Sequence, residues 1–264
     1  MLLFEILLLA VVQGIAEFLP ISSSGHVVVG AALFDQLGHP IDEKLTVNIA
    51  LHLGTLAAIL VFYWERIQRL LGRDRRVIPL LLVGTLPAVA VGLLKVSPLG
   101  PSLEAALESP LLAGLMFPVT GLMLIWAAHR PEGNGSYAEA SYGTALVVGL
   151  LQAFAVLPGI SRSGATIAGG LGRRLRRDEA AAFSFLLAIP AIAGGGALET
   201  AELLRDGPGP IDPTLLIGGA ALSFLVGLGA LWWLVRWLER GRLEDFAWYL
   251  FPLGAIVLAW QLWG

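Results

Sequence analysis

Gln13-Gly-Ile-Ala-Glu17-Phe-Leu-Pro20-Ile-Ser22-Ser23-Ser24-Gly25-His26 is answered later in the chain by Gln152-Ala-Phe-Ala-Val156-Leu-Pro158-Gly159-Ile-Ser161-Arg162-Ser163-Gly164-Ala165. Gln13 aligns with Gln152, Ile21 with Ile160, and Ser22-x-Ser24-Gly25 with Ser161-x-Ser163-Gly164, all 139 positions apart and without a gap. The offset is about half of the 264 residues, which marks an internal duplication. The copies differ in their ionisable residues: Glu17 and His26 stand only in the first, Arg162 only in the second.

The surroundings of both copies are apolar. The chain is 56% hydrophobic and 14% charged, with a mean hydropathy of +0.78, where soluble domains carry roughly 25% charged residues. Long runs rich in Leu, Ala, Val and Gly recur throughout. They predict an all-α polytopic membrane protein rather than a β-barrel, whose strands alternate with period two in pieces of about ten residues. No segment is left over for a soluble domain. With no cysteine, disulfides and thiolate chemistry are excluded. Leu2 to Val12 is apolar, but its only nearby charge is Glu5 and no basic n-region or cleavage site accompanies it, so it reads as a retained helix.

Six segments are long enough to cross a bilayer of about 30 Å at 1.5 Å per residue: Val47–Ile67, Ile78–Leu94, Pro110–Ala128, Glu179–Leu204, Pro213–Leu238 and Asp245–Trp263. Four shorter ones, Leu2–Glu17, Val27–Leu37, Tyr142–Leu157 and Ala165–Leu175, flank the two motif copies. Short apolar pieces broken by Pro and Gly fit re-entrant hairpins better than spans. Each half therefore reads as a re-entrant helical hairpin plus three transmembrane helices, giving ten membrane helices of which six are full spans. Because three spans is an odd number, the second half must enter upside down, an inverted-topology repeat. The expectation is a single membrane domain over 1–264, with repeats at 1–130 and 140–264.

Basic residues set the orientation. Arg66, Arg69, Arg73, Arg75 and Arg76 place the loop after the first span inside. Alternation then puts 95–109 outside, 129–141 inside, 205–212 outside and 238–244 inside. Arg173, Arg174, Arg176 and Arg177, and likewise Arg236, Arg240 and Arg242, fall inside, whereas Glu104, Glu108, Asp206 and Asp212 fall outside. The first hairpin should open outward, the second inward, with their tips meeting near the midplane.

Each motif offers Ser hydroxyls and unpaired amides at a helix N-terminus, an arrangement that binds phosphate, although Ser and Gly also simply turn a chain. Arg162 would be expensive at membrane depth unless it worked there or snorkelled to an interface; its fork suits phosphate oxygens. Glu17 lies one helical turn after Gln13. The pair could hold a hard cation such as Mg2+ or Ca2+, or Glu17 could orient His26 or pair with Arg162. His26 could act as acid, base or nucleophile, or be a hydrogen-bonded structural residue. Asn48, His52 and Thr55 recur at helical spacing and either line a cavity or bond between helices. Gly194-Gly195-Gly196 after Pro190 suggests close packing or a broken helix. Trp64, Trp237, Trp260 and Trp263 read as interface anchors.

Together, Gln13-x-x-x-Glu17-Phe-Leu-Pro-x-Ser-Ser-Ser-Gly-His26 and Pro158-Gly-Ile-Ser-Arg162-Ser-Gly-Ala-Thr166 closely resemble the two signature motifs of undecaprenyl pyrophosphate phosphatases of the bacitracin-resistance type. Ala50-Leu-His-Leu-Gly-Thr-Leu-Ala-Ala and Glu179-Ala-Ala-Ala-Phe-Ser-Phe-Leu-Leu-Ala-Ile-Pro190 are similar to that family too, so the resemblance covers essentially the whole chain. It implies a multi-pass bacterial inner-membrane enzyme built of inverted repeats. Its active site would face the periplasm and remove the terminal phosphate of a C55 isoprenoid pyrophosphate to recycle the lipid carrier for cell-wall synthesis. The site residues it points to are Glu17, Ser22, Ser23, His26, Ser161, Arg162, Ser163 and Thr166. Many members carry Glu where this chain has Gln13, which keeps an oxygen ligand but loses a charge.

The expectation is therefore a lipid-pyrophosphate phosphatase with Glu17, Ser23, His26 and Arg162 as catalytic residues. Gln13, Ser22, Ser24, Gly25, Ser161, Ser163, Gly164 and Thr166 would bind the substrate, and Glu17 with Gln13 a divalent cation. The nucleophile is Ser23 activated by His26, His26 itself, or water. The alternative is a lipid-phosphate flippase or anion transporter using the same midplane site. Partners are the lipid substrate and the membrane; no nucleic acid is expected. Small-residue faces would suit a homodimer, and equally helix packing within one subunit.

Overall fold

The computed structural model describes residues 2–36, 38, 44–206 and 212–263. Most of the 205–212 loop and the side chains of Glu202 and Asp206 lie outside them. The described residues form twelve α-helices and no β-strand: α1 (Leu2–Ala16), α2 (Ser23–Gln36), α3 (Lys44–Phe62), α4 (Trp64–Leu70), α5 (Val77–Lys95), α6 (Gly100–Leu107), α7 (Pro110–Ala128), α8 (Tyr142–Phe154), α9 (Arg162–Gly172), α10 (Arg177–Asp206), α11 (Pro213–Glu239) and α12 (Ala247–Trp263).

Helix starts follow local chemistry. Ser109, Ser141, Ser161 and Asp212 each accept a backbone N–H of the first turn they precede, and Pro110 and Pro213 occupy first-turn positions whose amides would be unpaired anyway. Five of the resulting stretches are long and apolar enough to cross a membrane, and α3 with α4 makes a sixth if the bent pair counts as one span. Leu82, Leu225 and Ile256 on these helices are 60%, 62% and 66% exposed. Such apolar surface would be a liability in water and is ordinary against lipid chains. The protein is a multi-pass helical membrane protein.

Two expectations change. The segment Val47–Ile67 is not one straight helix: it turns by 75° between α3 and α4. Tyr63 at the bend stacks on Phe185 of α10, and Arg66 of α4 reaches Glu179 at 2.6 Å, so tertiary contacts fix the bend. Gly194-Gly195-Gly196 neither breaks α10 nor packs closely, since α10 is continuous and a Cβ at each position would meet nothing within 4 Å.

The packing is reciprocal. α1 lies on α11 and α8 lies on α5; α3 meets α10 and α7 meets α12. α9 is the innermost element, buried from Ser163 to Leu171, and packs on α7, α8 and α10. The main core joins it to Phe117 of α7 and Phe183, Phe185, Leu186 and Leu187 of α10. The turns 17–22 and 155–161 come together inside this frame.

Candidate active site

The two turns are built alike. Ser22 Oγ accepts Gly25 N–H at 3.2 Å and lies 3.4 Å from Ser24 Oγ. At the same offset, Ser161 Oγ accepts Gly164 N–H at 3.1 Å and lies 3.1 Å from Ser163 Oγ. Each hydroxyl thus caps the helix that follows. The tips are joined directly, because Ser22 Oγ also accepts Gly159 N–H at 3.1 Å and Ser163 Oγ donates to Leu19 O at 3.3 Å. Close approach demands glycine at two places. Gly159 has φ +91°, and a Cβ on Gly25 would stand 2.7 Å from Gly159 N and 2.7 Å from Phe117 Cε1. Thr120 of α7 holds the second turn from behind, donating to Gly159 O at 2.7 Å and accepting Ser161 N–H at 3.1 Å.

Glu17 is the centre of the polar contacts. Its Oε1 receives Arg162 Nη2–H at 2.6 Å. Its Oε2 receives Gln13 Nε2–H at 3.1 Å and Ser23 Oγ–H at 3.0 Å. His52 Nε2 lies 3.9 Å from the same oxygen. Glu17 and Arg162 are 7% and 16% exposed, so the ion pair that ties the two motif copies together is largely desolvated. Arg162 Nη1 is buried without a partner, an orphaned donor that asks for an acceptor not supplied by the protein.

A cavity of about 130 Å³ opens beside this cluster, lined by Glu17, Ser23, Ser24, Ser161 and Arg162 with Ala16, Ala155 and Ile160. A cavity of that size has room for several waters or one phosphate group. Five of the expected site residues therefore share one wall, and Gln13 joins them through Glu17. The others sit apart from the cavity. Ser22, Ser163, Gly25 and Gly164 build and lock the turns. Thr166 is turned toward α10, with Oγ1 donating to Arg162 O at 2.8 Å and 2.5 Å from Ser184 Oγ.

His26 is not paired with Ser23. Its Nδ1 is 2.7 Å from Ser22 O and its Nε2 is 2.7 Å from Tyr249 OH, with the ring stacked on Tyr249 at 5.8 Å. Tyr249 and Thr120 were not legible as site residues. One is a further aromatic near Trp248 at the start of an apolar run, and the other a lone Thr within Pro110–Ala128, with no spacing linking either to the motifs.

Among the described residues no three His, Asp or Glu side chains gather as a complete metal cage. One carboxylate with one amide and one hydroxyl each bonded to it (Glu17, with Gln13 and Ser23) does fit part of the oxygen shell that Mg2+ or Ca2+ prefers, the rest being of the kind phosphate oxygens supply.

Known proteins match the chain along nearly all of its length. Residues 6–256 match the family described as bacitracin resistance protein BacA. The chain is 49% identical over 261 residues to an undecaprenyl-diphosphatase of Rhodopirellula baltica, covering 98% of each protein. It is 37% identical over 259 residues to undecaprenyl-diphosphatase 4 of Bacillus thuringiensis subsp. konkukian, covering 97% of this chain and 96% of that one. It is 37% identical over 266 residues to an undecaprenyl-diphosphatase of Pelotomaculum thermopropionicum, covering 98% and 96%. With both signature turns inside the matched region and identity sustained from end to end, the chain belongs to the bacitracin resistance protein BacA family.

Proposed function

We propose that this protein is an undecaprenyl-diphosphatase: it hydrolyses the C55 isoprenoid pyrophosphate to the monophosphate and phosphate, recycling the lipid carrier for cell-wall synthesis. The observation that carries the reading is Arg162 on the wall of a cavity with room for a phosphate, its Nη2 paired with Glu17 and a serine hydroxyl already donating to that same carboxylate.

Arg162 holds the terminal phosphate with its fork, helped by the Ser24 and Ser161 hydroxyls on the cavity wall. Phosphoryl transfer asks mainly for positioning and charge stabilisation, which this constellation supplies. Ser23 Oγ attacks the terminal phosphorus and its proton passes to Glu17 Oε2. The bridging P–O bond breaks and its electron pair leaves with the lipid monophosphate. Glu17 gives that proton up to water. A second water attacks the phosphoserine and passes its own proton to Glu17. The Oγ–P bond breaks, Ser23 Oγ takes the proton back from Glu17 across their hydrogen bond, and phosphate departs. Glu17 replaces His26 as the base because Ser23 donates to Glu17, while both His26 nitrogens are engaged elsewhere. His26, bonded to Ser22 O and Tyr249 OH, supports the turn that carries Ser23. Glu17 and Gln13 would hold a divalent cation, which would supply neutralisation of the pyrophosphate charge, and a chelator would then lower turnover.

The frame belongs to the same reading. Residues 1–130 and 140–264 form inverted repeats of one membrane domain: α1–α2 and α8–α9 are re-entrant hairpins, and six spans complete ten membrane helices. Support comes from the capping bonds repeated at one offset and from the exchange in which α1 packs on α11 and α8 on α5. The family favours a cytoplasmic (inner) membrane location, and the arginine clusters favour an orientation with the first hairpin and the cavity opening to the periplasmic side. Gly218 and Gly229 meet nothing within 4 Å inside the subunit, leaving small-residue faces that suit a homodimer.

The test is phosphate release from a C55 or shorter isoprenoid pyrophosphate by the purified protein in detergent, with and without chelator. Release that Ser23→Ala abolishes supports the serine route. Near-normal turnover of Ser23→Ala assigns the nucleophile to water or His26.

A further inference from the structure

Ser22, the residue before the proposed nucleophile, stands at φ +71°, in the left-handed region that an L residue occupies only where its surroundings hold it there. Both of its oxygens are engaged. Ser22 Oγ accepts the N–H groups of Gly25 and Gly159 at 3.2 and 3.1 Å. Ser22 O accepts the backbone N–H of His26 at 3.3 Å and lies 2.7 Å from His26 Nδ1. A carbonyl oxygen can only accept, so Nδ1 carries the hydrogen, and in the neutral ring Nε2 is an acceptor. Tyr249 OH, 2.7 Å from Nε2, is then the donor. The imidazole is also gripped by two rings: Phe117 of α7 meets it edge-on at 5.4 Å, and Tyr249 of α12 lies parallel to it at 5.8 Å. The rest of α2 does little to hold this end. Of its 14 residues only Gly25 is buried. A second polar tie to α12 is at the far end, where Trp260 Nε1–H donates to Gln36 Oε1 at 3.0 Å. Ser23 is the first residue of α2, so the placement of its hydroxyl on Glu17 depends on contacts made within the first turn.

We propose that Tyr249 is a positioning residue for Ser23. It acts through His26 and the Ser22 carbonyl: its hydroxyl fixes the imidazole in the Nδ1–H form, and the imidazole holds Ser22 in the left-handed turn that aims Ser23 Oγ at Glu17. This rests on the Ser23–Glu17 reading above. Neither Tyr249 nor His26 lines the cavity, so the role involves no substrate contact and no proton transfer.

Tyr249→Phe removes the donor and keeps the ring. Phosphate release by the monodisperse protein in detergent is measured at about pH 8, where an ordinary imidazole is neutral. The kcat should fall about tenfold with KM within about twofold of wild type, because a displaced nucleophile reacts slowly while the phosphate-binding groups stay in place. The melting temperature should stay within about 3 °C, since one half-exposed hydrogen bond is lost and the packing is kept. Nitrogen-15 NMR of histidine-labelled protein gives a readout that lost stability alone would not move. The His26 Nε2 signal, assigned as the one missing from His26→Gln, should shift in Tyr249→Phe while those of the other histidines stay. Trp260→Phe cuts the tie at the far end of α2 and should keep the wild-type kcat. The role is overturned by a Tyr249→Phe kcat within about twofold of wild type, by an unmoved His26 signal, by an equal loss of kcat in Trp260→Phe, or by a raised KM with kcat preserved. Ser23→Ala is run alongside. If it keeps turnover, the serine reading falls and Tyr249 with it. If it loses turnover while Tyr249→Phe keeps the wild-type kcat, only the role of Tyr249 falls.

Discussion

Arg162 and Glu17 form one buried pair assembled from two distant copies of a motif, and stability and chemistry meet in it. Removing one partner strands the other charge at a cost of about 3–5 kcal/mol, whereas removing both leaves no charge to strand. Glu17→Ala and Arg162→Ala should each lower the melting temperature in detergent. The double variant should recover most of that loss, and all three should lose phosphate release by at least about a hundredfold. Activity without stability loss, or stability loss that the double variant does not relieve, contradicts the pairing. Arg162→Lys keeps the charge but not the planar fork, so it should keep the fold better than its activity. The charged residues were legible in the sequence because Glu, His and Arg are rare at membrane depth. Their pairing was not: the sequence left Glu17 open to a cation, His26 or Arg162, and it is the packing of the two turns that engages Arg162.

The turns themselves are the elements that carry the site, and their fit is set by backbone contact between the copies. Gly25→Ala would place a methyl against Gly159 N and Phe117, a clash expected to cost about 1–3 kcal/mol and to move the Ser23 hydroxyl. Gly30→Ala, later in the same helix α2, meets nothing within 4 Å and should stabilise by about 0.5–1 kcal/mol through helix propensity. Thermal unfolding of the two variants distinguishes them, and equal melting temperatures would mean that the tips do not touch. These turns were readable because Ser-x-Ser-Gly is both a cap and a chain reversal. The α3–α4 bend was hidden in an unbroken apolar run, since nothing local to Tyr63 turns the chain. Its cause lies in Phe185 and Glu179, more than a hundred residues away. Gly194-Gly195-Gly196 misled in the opposite direction, a local breaker signal in a helix that the fold keeps whole.

At the scale of the whole molecule, the two copies of the motif meet in one interior, and the helices before them pack on the opposite half of the chain, α1 on α11 and α8 on α5. If the repeats are inverted, exposed positions in corresponding loops must lie on predictable sides. The chain has no cysteine, so single substitutions report without background. In intact cells a membrane-impermeant maleimide should label Ser102→Cys. Arg75→Cys and Arg240→Cys should stay protected until the membrane is permeabilised. The reverse pattern would invert the topology, and with it the side on which the cavity opens. The central claim is that one cavity, walled by both copies, hydrolyses a lipid pyrophosphate. Its most direct measurement is phosphate release from C55 isoprenoid pyrophosphate by wild type and Arg162→Ala, each purified and monodisperse in detergent. The account predicts sustained turnover by wild type and none above background by Arg162→Ala. Binding of the substrate without release by wild type, or comparable release by both proteins, would contradict it.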